Sequence, residues 1–389
     1  MSTNGLSSSK VRLNAACAIL FGCLAVPALA QSANVTIYGR AHISMENVVA
    51  GSPGANGTTQ MKNNTSRIGF RGEEDLGNGL KAFFQIESGV SMDENNNTGS
   101  NILGGRDTFV GMKDRDWGMV KGGGFYHPYD DLHSVAGSHF QIFTGTTNDA
   151  ALWANGSNSK TGGFDERLKN DVSYTTPTIG GVTGVVWYSL MQGSNSREAD
   201  PHHGAWAWSG SVTYENGPFK AAWSNVVQRS TQNWSSNFYA DGWTNMLVAG
   251  YQFGPLYVGV LAERDKLKDI LGSGNDRDRN HFQFDTRYTL GNHTLGLFAG
   301  KSMDWKGDAG VKDSGSKMFV IGDNYAFSKR TQVYAFYAKL NNEDNAAYVL
   351  GNSPVASTSA AASVTGVKGD WALTDTSQKG YGVGIIHNF

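Results

Sequence analysis

The segment 65–90 alternates apolar and polar side chains with a period of two residues. On its first arm, Ile68 and Phe70 alternate with Arg67 and Arg71. The second arm alternates in the same way: Leu80, Ala82, Phe84 and Ile86 against Lys81, Phe83, Gln85 and Glu87. This period is typical of a β-strand with two unlike faces. Gly and Asn residues between the arms allow the positive φ of a tight reversal, so the segment predicts a β-hairpin.

Two kinds of protein contain such a hairpin. A soluble sandwich directs the apolar face to its core and the charged face to water. A membrane barrel directs the same faces to lipid and to a wet lumen. The hairpin alone leaves both interpretations open.

The same pattern recurs along the chain, in segments of about ten residues separated by turn signals. With the two arms of the hairpin, it predicts sixteen strands. The others are 35–48, 106–114, 117–125, 168–176, 182–191, 205–214, 219–228, 244–253, 256–263, 281–289, 294–302, 317–326, 332–340 and 380–389.

Short turns alternate with longer polar loops, which include 192–204, 230–242, 264–280 and 303–316. A sandwich has no reason to place every long loop at one end, whereas a barrel with a periplasmic and an outer rim does. An even strand count also lets the first and last strands pair. We therefore predict an all-β protein, a sixteen-stranded antiparallel transmembrane β-barrel with short periplasmic turns and long outer loops.

The N-terminal residues predict export. Lys10 and Arg12 precede an apolar run, and Ala28-Leu29-Ala30 has the form of a cleavage site, so residues 1–30 are interpreted as a signal peptide. The apolar run is shorter than the about 20 residues that a spanning helix needs. Cleavage after Ala30 would leave a barrel domain of residues 31–389.

Composition narrows the function classes. Both cysteines, Cys17 and Cys23, lie in the leader, which excludes disulfides and thiol chemistry in the mature chain. Removing two basic residues changes the formal charge from −2 to −4 (30 basic against 34 acidic), so we expect no nucleic-acid partner. Fifty Gly residues and 34 Tyr plus Phe (15 and 19), with no apolar helical segment, favour many strands.

Several short motifs resemble one family. The most specific is the run 66–80, Ser-Arg-Ile-Gly-Phe-Arg-Gly-Glu-Glu-Asp-Leu-Gly-Asn-Gly-Leu, and weaker matches are 35–39, 109–111, 117–120 and 382–389. The mature chain resembles the general porins of beta-proteobacteria (Neisseria/Burkholderia type). The resemblance implies a homotrimer in the bacterial outer membrane, a third outer loop (126–167) folded inward as a constriction, and a terminal Phe389 read by the barrel-assembly machinery.

One position departs from the family pattern. The family usually has Gly-Arg-Gln after the fifth strand, where this chain has Gly123-Gly124-Phe125. An arginine expected on the pore wall is thus replaced by Gly124, which weakens any selectivity inferred by analogy.

In a pore, function depends on the lumen diameter and on the charges at its narrowest point. By alternation, five basic residues are expected to face inward as a pore wall: Arg40, Arg67, Arg71, Lys81 and Lys121. The loop 126–167 carries five acidic residues: Asp130, Asp131, Asp149, Asp165 and Glu166. Opposed basic and acidic faces would create a transverse field that favours charged and polar solutes. Alternatively, several of these residues form salt bridges that only anchor the loop.

Other chemistries lack a complete motif. His127, His133 and His139 recur in the long loop, but their spacing matches no helical or strand ligand pair, so no metal is expected. A nucleophile elbow, an HExxH motif and a P-loop are absent. The run Asp276-Arg-Asp-Arg279 lacks the spacing of a calcium loop and is interpreted as a solvated outer loop.

The sequence therefore predicts a passive diffusion channel for small hydrophilic solutes and ions, surrounded by outer-membrane lipid and without a cofactor or catalysis. A substrate-selective channel for organic anions is the alternative, and a barrel enzyme or adhesin is a more distant one. Ion preference stays open because a basic wall and an acidic loop oppose each other.

Overall fold

The computed structural model describes residues 34–50, 57–93, 103–137, 144–153, 164, 167–191, 204–229, 241–268, 274–346, 348–350 and 377–389. The predicted leader 1–30, Asp165, Glu166 and His139 lie outside these residues. In the described part of the chain, no helix is both long and apolar enough to cross a membrane.

Seventeen strands form one antiparallel sheet. They are β1 (Asn34–Ala50), β2 (Thr58–Asn63), β3 (Arg67–Gly77), β4 (Leu80–Gly89), β5 (Thr108–Asp114), β6 (Gly118–Gly124), β7 (Asp171–Thr175), β8 (Val182–Ser189), β9 (Trp206–Asn216), β10 (Phe219–Arg229), β11 (Asp241–Phe253), β12 (Leu256–Lys268), β13 (Arg277–Leu290), β14 (His293–Ser302), β15 (Ser316–Ala326), β16 (Thr331–Asn342) and β17 (Ser377–Asn388). Between β6 and β7 lie α1 (Pro128–Leu132), α2 (Ala150–Trp153) and two 3₁₀ turns.

The sheet closes on itself because β1 pairs with β17 along most of its length. On its other side, β1 pairs with β2 through its second half and with β3 through its first half. These two strands therefore share one position in the barrel, which confirms the prediction of a sixteen-stranded antiparallel barrel. Part of the predicted gap between the first two strands was wrong, since Thr58–Asn63 is a strand.

The break between β2 and β3 is held by side chains. Thr65 has a φ of 59°, which interrupts the extended backbone. The Ser66 hydroxyl accepts a hydrogen bond from the His42 amide (2.9 Å) and donates one to the His42 carbonyl (3.1 Å). The hydroxyl thus replaces the missing rungs of the ladder, so that no buried backbone group of His42 is left unpaired.

The two faces of each strand differ as predicted. On β1, Val35, Ile37 and Met45 are exposed on the outside, whereas His42 and Glu46 are buried on the inside. The short connections follow the predicted turn chemistry as well, since Gly77, Asn78 and Gly79 all have positive φ between β3 and β4. The short turns, Asn34 and Phe389 lie at one rim, and the strand ends that lead into the long connections lie at the other.

The predicted bounds of the polar loop 264–280 are wrong, because both of its ends belong to strands. β12 continues to Lys268, where it still pairs with Asp241 on β11, and β13 begins at Arg277, beyond the last residue that pairs with β14. Outward-facing charges form two ion pairs between these strands. The guanidinium of Arg264 lies 3.0 Å from the Asp278 carboxylate, and the ammonium of Lys266 lies 3.1 Å from the Asp276 carboxylate. The arginines of the predicted solvated run 276–279, by contrast, are buried inside the barrel.

The inner face of the barrel is not uniformly polar. On β10 to β12, inward positions carry an apolar strip that includes Val226, Met246, Val248 and Leu261, all buried. Tyr129 and Ala136 from the segment between β6 and β7 pack against this strip in one cluster. The strip would otherwise face a wet lumen, so its burial stabilises that segment inside the barrel.

Candidate functional site

The segment between β6 and β7 (125–170), called here the inner loop, follows the inside of one half of the barrel. Its first helix contacts β9 and β10, its first 3₁₀ turn (His133–Ala136) contacts β10 to β13, and α2 contacts β14 and β15. The second 3₁₀ turn (Gly145–Thr147) reaches β16. The described residues of the loop therefore cover the wall from β9 to β16, and they leave most of the wall from β1 to β7 facing the lumen.

Hydrogen bonds from inward side chains fix the loop at several points. The Tyr257 hydroxyl donates to the Val135 carbonyl at 2.6 Å, and the Ser302 hydroxyl donates to the Leu152 carbonyl at 2.8 Å. The Thr146 hydroxyl donates to Glu46 on β1 at 2.5 Å, so the middle of the loop is also fixed beside the barrel seam.

Arg279 on β13 is the most connected residue beneath the loop. Its guanidinium donates to the Asp265 carboxylate (3.0 Å), to the Tyr348 hydroxyl (2.6 Å) and to the carbonyl of Trp153 at the end of α2 (2.6 Å). It is almost completely buried and lies over the Trp305 ring at 4.6 Å. Arg279 therefore links the inner loop, β12, β13 and the segment after β16.

Asp149 belongs to the same buried layer rather than to the open lumen. Its carboxylate accepts a hydrogen bond from Gln283 at 2.8 Å, and the same amide donates to Asp285 at 2.7 Å. Asp149 is 2% exposed. Asp149 therefore contacts the barrel through the neutral amide of Gln283.

The two described loop histidines, His127 and His133, pack against aromatic rings. The His133 ring stacks on Trp153 with centroids 3.8 Å apart, and its Nε2 lies 3.3 Å from Glu263. His127 is buried beside Trp187, and this burial lowers its pKa to about 3. A neutral imidazole among aromatic rings adds no charge to the lumen.

The facing wall carries a set of arginines around one carboxylate. Glu87 on β4 accepts a hydrogen bond from Arg106 at 2.6 Å and one from the Tyr38 hydroxyl at 3.0 Å, and Arg67 lies 3.8 Å away. Arg40 on β1 donates to Asn388 on β17 at 3.0 Å. The wall from β1 to β4 thus presents guanidinium groups that are only partly neutralised.

The basic wall continues along β5 and β6 to the ends of the inner loop. The Lys121 ammonium lies over the Phe109 ring at 4.5 Å and the Phe125 ring at 4.0 Å. Arg167 donates to Asp107 at 2.6 Å and stacks over Tyr126. Aromatic faces attract these cations without cancelling their charge.

Asp131 on α1 faces this basic wall. Its surroundings raise the pKa of its carboxyl to about 6, first through burial among protein groups and then through the negative charge of Asp107, while Lys121 and Arg167 oppose the shift. Asp131 is nonetheless exposed to solvent within the barrel. The lumen thus contains a carboxyl group that changes charge close to neutral pH.

A closed barrel with a charged lumen and an inner loop is the architecture of an outer-membrane channel. A family model described as Gram-negative porin matches residues 15–345. The chain belongs to the Gram-negative porin family. It is an outer-membrane channel of a Gram-negative bacterium, as the sequence motifs indicated.

Relatives and solved structures agree with this assignment. The chain is 29% identical over 370 residues to the outer membrane porin protein 32 of Delftia acidovorans, covering 93% of this chain and 95% of the relative. It is 27% identical over 329 residues to the major outer membrane protein P.IB of Neisseria gonorrhoeae, covering 79% and 88%. Its fold matches the anion-selective porin from Comamonas acidovorans with a TM-score of 0.71 at 24% identity, covering 92% and 100%.

The predicted basic residues of this porin occupy different heights. Arg40, Arg67 and Lys121 belong to the wall described above. Arg71 is exposed over the Tyr38 ring at 5.0 Å. Lys81 lies near the β3–β4 turn, where its ammonium is 2.6 Å from Glu73, so it belongs to the periplasmic rim.

Arg106 and Arg167 are basic residues that the sequence pattern missed. Arg106 has the same parity as the outward Val110, so alternation gives no indication that it faces the lumen. However, β5 begins only at Thr108, and the chain before it turns the arginine inward. Arg167 lies in the inner loop, where alternation carries no information.

Lys169 lies beside Gly124, the position at which the family usually has an arginine. The Lys169 side chain packs against this glycine, and its Nζ lies 3.0 Å from the point that a Cβ atom would occupy. A side chain at position 124 would displace Lys169. The end of the inner loop therefore brings a basic group to the place that the family arginine leaves vacant.

Phe389 completes the seam of the porin barrel. Its amide donates to the Gly39 carbonyl at 3.1 Å, and the Gly39 amide donates to the Phe389 carbonyl at 3.0 Å. Its ring covers Gly39 on the outside, where a larger residue would collide with it. A terminal aromatic residue is thus held at the barrel surface near the periplasmic rim.

Proposed function

We propose that the protein is a general diffusion porin that passes small hydrophilic solutes and ions down their gradients. The observation that supports this most is the asymmetry of the lumen. The inner loop fills the wall from β9 to β16, and charged groups line the opposite wall. Among the described residues, the passage between these surfaces is polar and lined by charged groups.

We also propose that the constriction favours anions to a modest degree. On the described lumen wall, the cations Arg40, Arg67, Arg106, Lys121 and Arg167 outnumber the carboxylates Glu87, Asp107 and Asp131. A positive excess at a constriction lowers the barrier to anions. The name of the Comamonas porin, anion-selective, is in line with this proposal.

A homotrimer, a cleaved leader and an assembly signal complete the proposal. One solved neighbour, OmpT of Vibrio cholerae, is described as a trimer form and shares the fold with a TM-score of 0.65 at 14% identity, covering 92% of this chain and 100% of that chain. Residues 1–30 would be removed on export, and Phe389 would be the residue that the barrel-assembly machinery recognises.

Single-channel recording in planar bilayers tests the function. We expect an ohmic current that rises in proportion to salt concentration, because a general diffusion pore has no high-affinity site to saturate. Block by a particular organic anion at low concentration would instead support the substrate-selective alternative. Absence of any conductance from the folded protein would contradict both.

The pH dependence of selectivity tests the role of Asp131. Because its pKa is about 6, this carboxyl is mostly ionised at pH 7.5 and mostly protonated at pH 5. Acidification therefore removes a negative charge from the lumen, and the permeability of anions relative to cations should rise. Asp131→Asn should show the acidic value already at pH 7.5 and respond less to pH. A variant with an unchanged pH response would show that Asp131 lies off the ion path.

A further inference from the structure

Two phenylalanines face the lumen on the part of the wall that the described inner loop leaves open. Phe83 on β4 lies on the same face as the inward Gln85, and Phe109 on β5 is directly opposite Gln85. Both rings are partly exposed. Elsewhere on the inner face, apolar side chains such as Leu261 are covered by the inner loop. Aromatic surface that stays in contact with water is typical of a binding site.

The two rings form a corner in the wall. The centroids of Phe83 and Phe109 are 6.0 Å apart, and the ring planes meet at 72°. Gly111 on β5 is directly opposite Phe83, and a Cβ atom on this glycine would lie only 2.6 Å from the Phe83 ring. The ring therefore leans over the glycine. A planar ring placed in this corner meets the face of one phenylalanine and the edge of the other, which are the contacts that aromatic groups prefer.

An ammonium group lies beside each ring. The Lys121 Nζ is 4.5 Å from the Phe109 centroid, and the Lys113 Nζ is 5.6 Å from the Phe83 centroid. Gly111 pairs with Phe83 on one side and with Lys121 on the other, so only a glycine separates this ring from this lysine. Their backbones are roughly 10 Å apart, two strand spacings. The corner is therefore bordered by positive charge at both ends.

The two rings belong to a recess of about 350 Å³ in the lumen wall, called here the aromatic recess. Lys113, Arg71 and Gln85 also line it, together with Glu73, which is ion-paired with Lys113. The described residues that line the recess thus carry two cations and one carboxylate, and Lys121 adds a third cation at its edge. The recess therefore combines aromatic surface with an excess of positive charge.

We propose that the aromatic recess binds aromatic carboxylates as they cross the pore, an inference that rests on the proposed diffusion function and adds a preference to it. A planar ring fills the corner between Phe83 and Phe109, and a carboxylate meets the ammonium of Lys121 at its edge. Chloride or phosphate satisfies only the charge, and a neutral sugar satisfies only the ring surface. Because the recess opens to the lumen, each anion leaves quickly and diffusion continues.

Block of the chloride current in planar bilayers tests this proposal, with benzoate and cyclohexanecarboxylate as probes at neutral pH. Both probes carry one negative charge on a six-membered carbon ring, but only benzoate is aromatic. Benzoate should reduce the chloride current at the lower concentration, because an occupied recess places a negative charge beside Lys121. The variant F83L/F109L keeps apolar side chains and removes both rings. Its half-blocking concentration should rise about fivefold for benzoate and change little for cyclohexanecarboxylate.

Three further variants separate the ring, the charge and the fold. The matched control F282L/F284L replaces two phenylalanines that are exposed on the outside of β13, and benzoate should block it as it blocks the native protein. F83Y/F109Y retains both rings and should retain the native block. K121Q should raise the half-blocking concentration of both probes, because the ammonium attracts the carboxylate that they share.

Two results on the native protein, which need no variant, would overturn the proposal. The first is equal block by benzoate and cyclohexanecarboxylate, and the second is block by neutral glucose as strong as that by benzoate. An unchanged benzoate block in a conducting F83L/F109L channel would overturn it as well. In all three cases the chloride current itself persists, so the diffusion pore stands. Absence of chloride current from the native protein would instead contradict the proposed function.

Discussion

Replacing Arg67 and Arg106 with glutamine is expected to shift the reversal potential of the channel towards cation preference. These two guanidinium groups flank the Glu87 carboxylate on the lumen wall. Both changes therefore make the lumen more negative. A unit charge about 4 Å away contributes about 1 kcal/mol in water, or roughly a factor of five in relative permeability. Bilayer recording under a salt gradient measures the shift.

The matched control for this experiment is K81Q/K113Q. It also removes two inward cations that share one carboxylate, Glu73, but at the periplasmic rim. Because screening there is stronger and the pore is wider, the reversal potential should change little. Equal shifts from both variants would mean that selectivity comes from the total charge of the lumen. An unchanged potential in R67Q/R106Q would mean that Glu87 already neutralises the pair.

Replacing Arg279 with methionine is expected to lower the stability of the barrel and to loosen the inner loop. The change removes three hydrogen bonds and leaves the buried Asp265 carboxylate without its cation. Breaking a buried pair on one side costs about 3–5 kcal/mol. In single-channel records, the loosened loop should appear as frequent transitions and a higher mean conductance, and urea unfolding in detergent measures the loss of stability.

Two further variants serve as controls for the Arg279→Met experiment. Arg264→Gln breaks an exposed pair with Asp278 on the same two strands, and its cost should stay within about 1 kcal/mol. The double variant D265L/R279M removes both charges and should recover part of the stability without restoring the quiet current. A quiet channel in R279M would show that the remaining contacts are sufficient to hold the loop.

Alternation predicted the strands of this porin well because it reports which face of a strand meets lipid. It failed for 264–268 and 277–280, where the outward residues are charged rather than apolar. These residues belong to strands because Arg264 and Lys266 find partners on β13. Cross-strand pairing is a property of two distant segments, and the pattern within one segment does not reveal it.

Alternation also predicts which face of the sheet a residue occupies, but it does not predict the height of that residue along the barrel axis. Lys81 and Lys121 both point inward, yet Lys81 lies at the rim and Lys121 lies beside the inner loop. Height follows from strand length, tilt and register, which the closed barrel sets as a whole.

The site depends even more on the inner loop, whose path the sequence could not supply. Asp130 and Asp131 lie on α1 opposite the basic wall, whereas Asp149 lies beneath the loop against Gln283. The loop also explains apolar residues such as Val248 and Leu261 at positions that alternation assigns to water. They are inward because the loop covers them.

The bond between Thr146 and Glu46 has a consequence for the order of assembly. It joins the middle of the inner loop to β1, beside the place where β17 closes the seam. The loop precedes in the chain every strand from β9 to β16 that supports it, and Arg279 needs Tyr348 from beyond β16. The loop can therefore complete its docking only after the last strands have formed. Until then, the lumen of the partly built barrel is wider than that of the finished one. The inner loop thus narrows the lumen at the last step of barrel assembly.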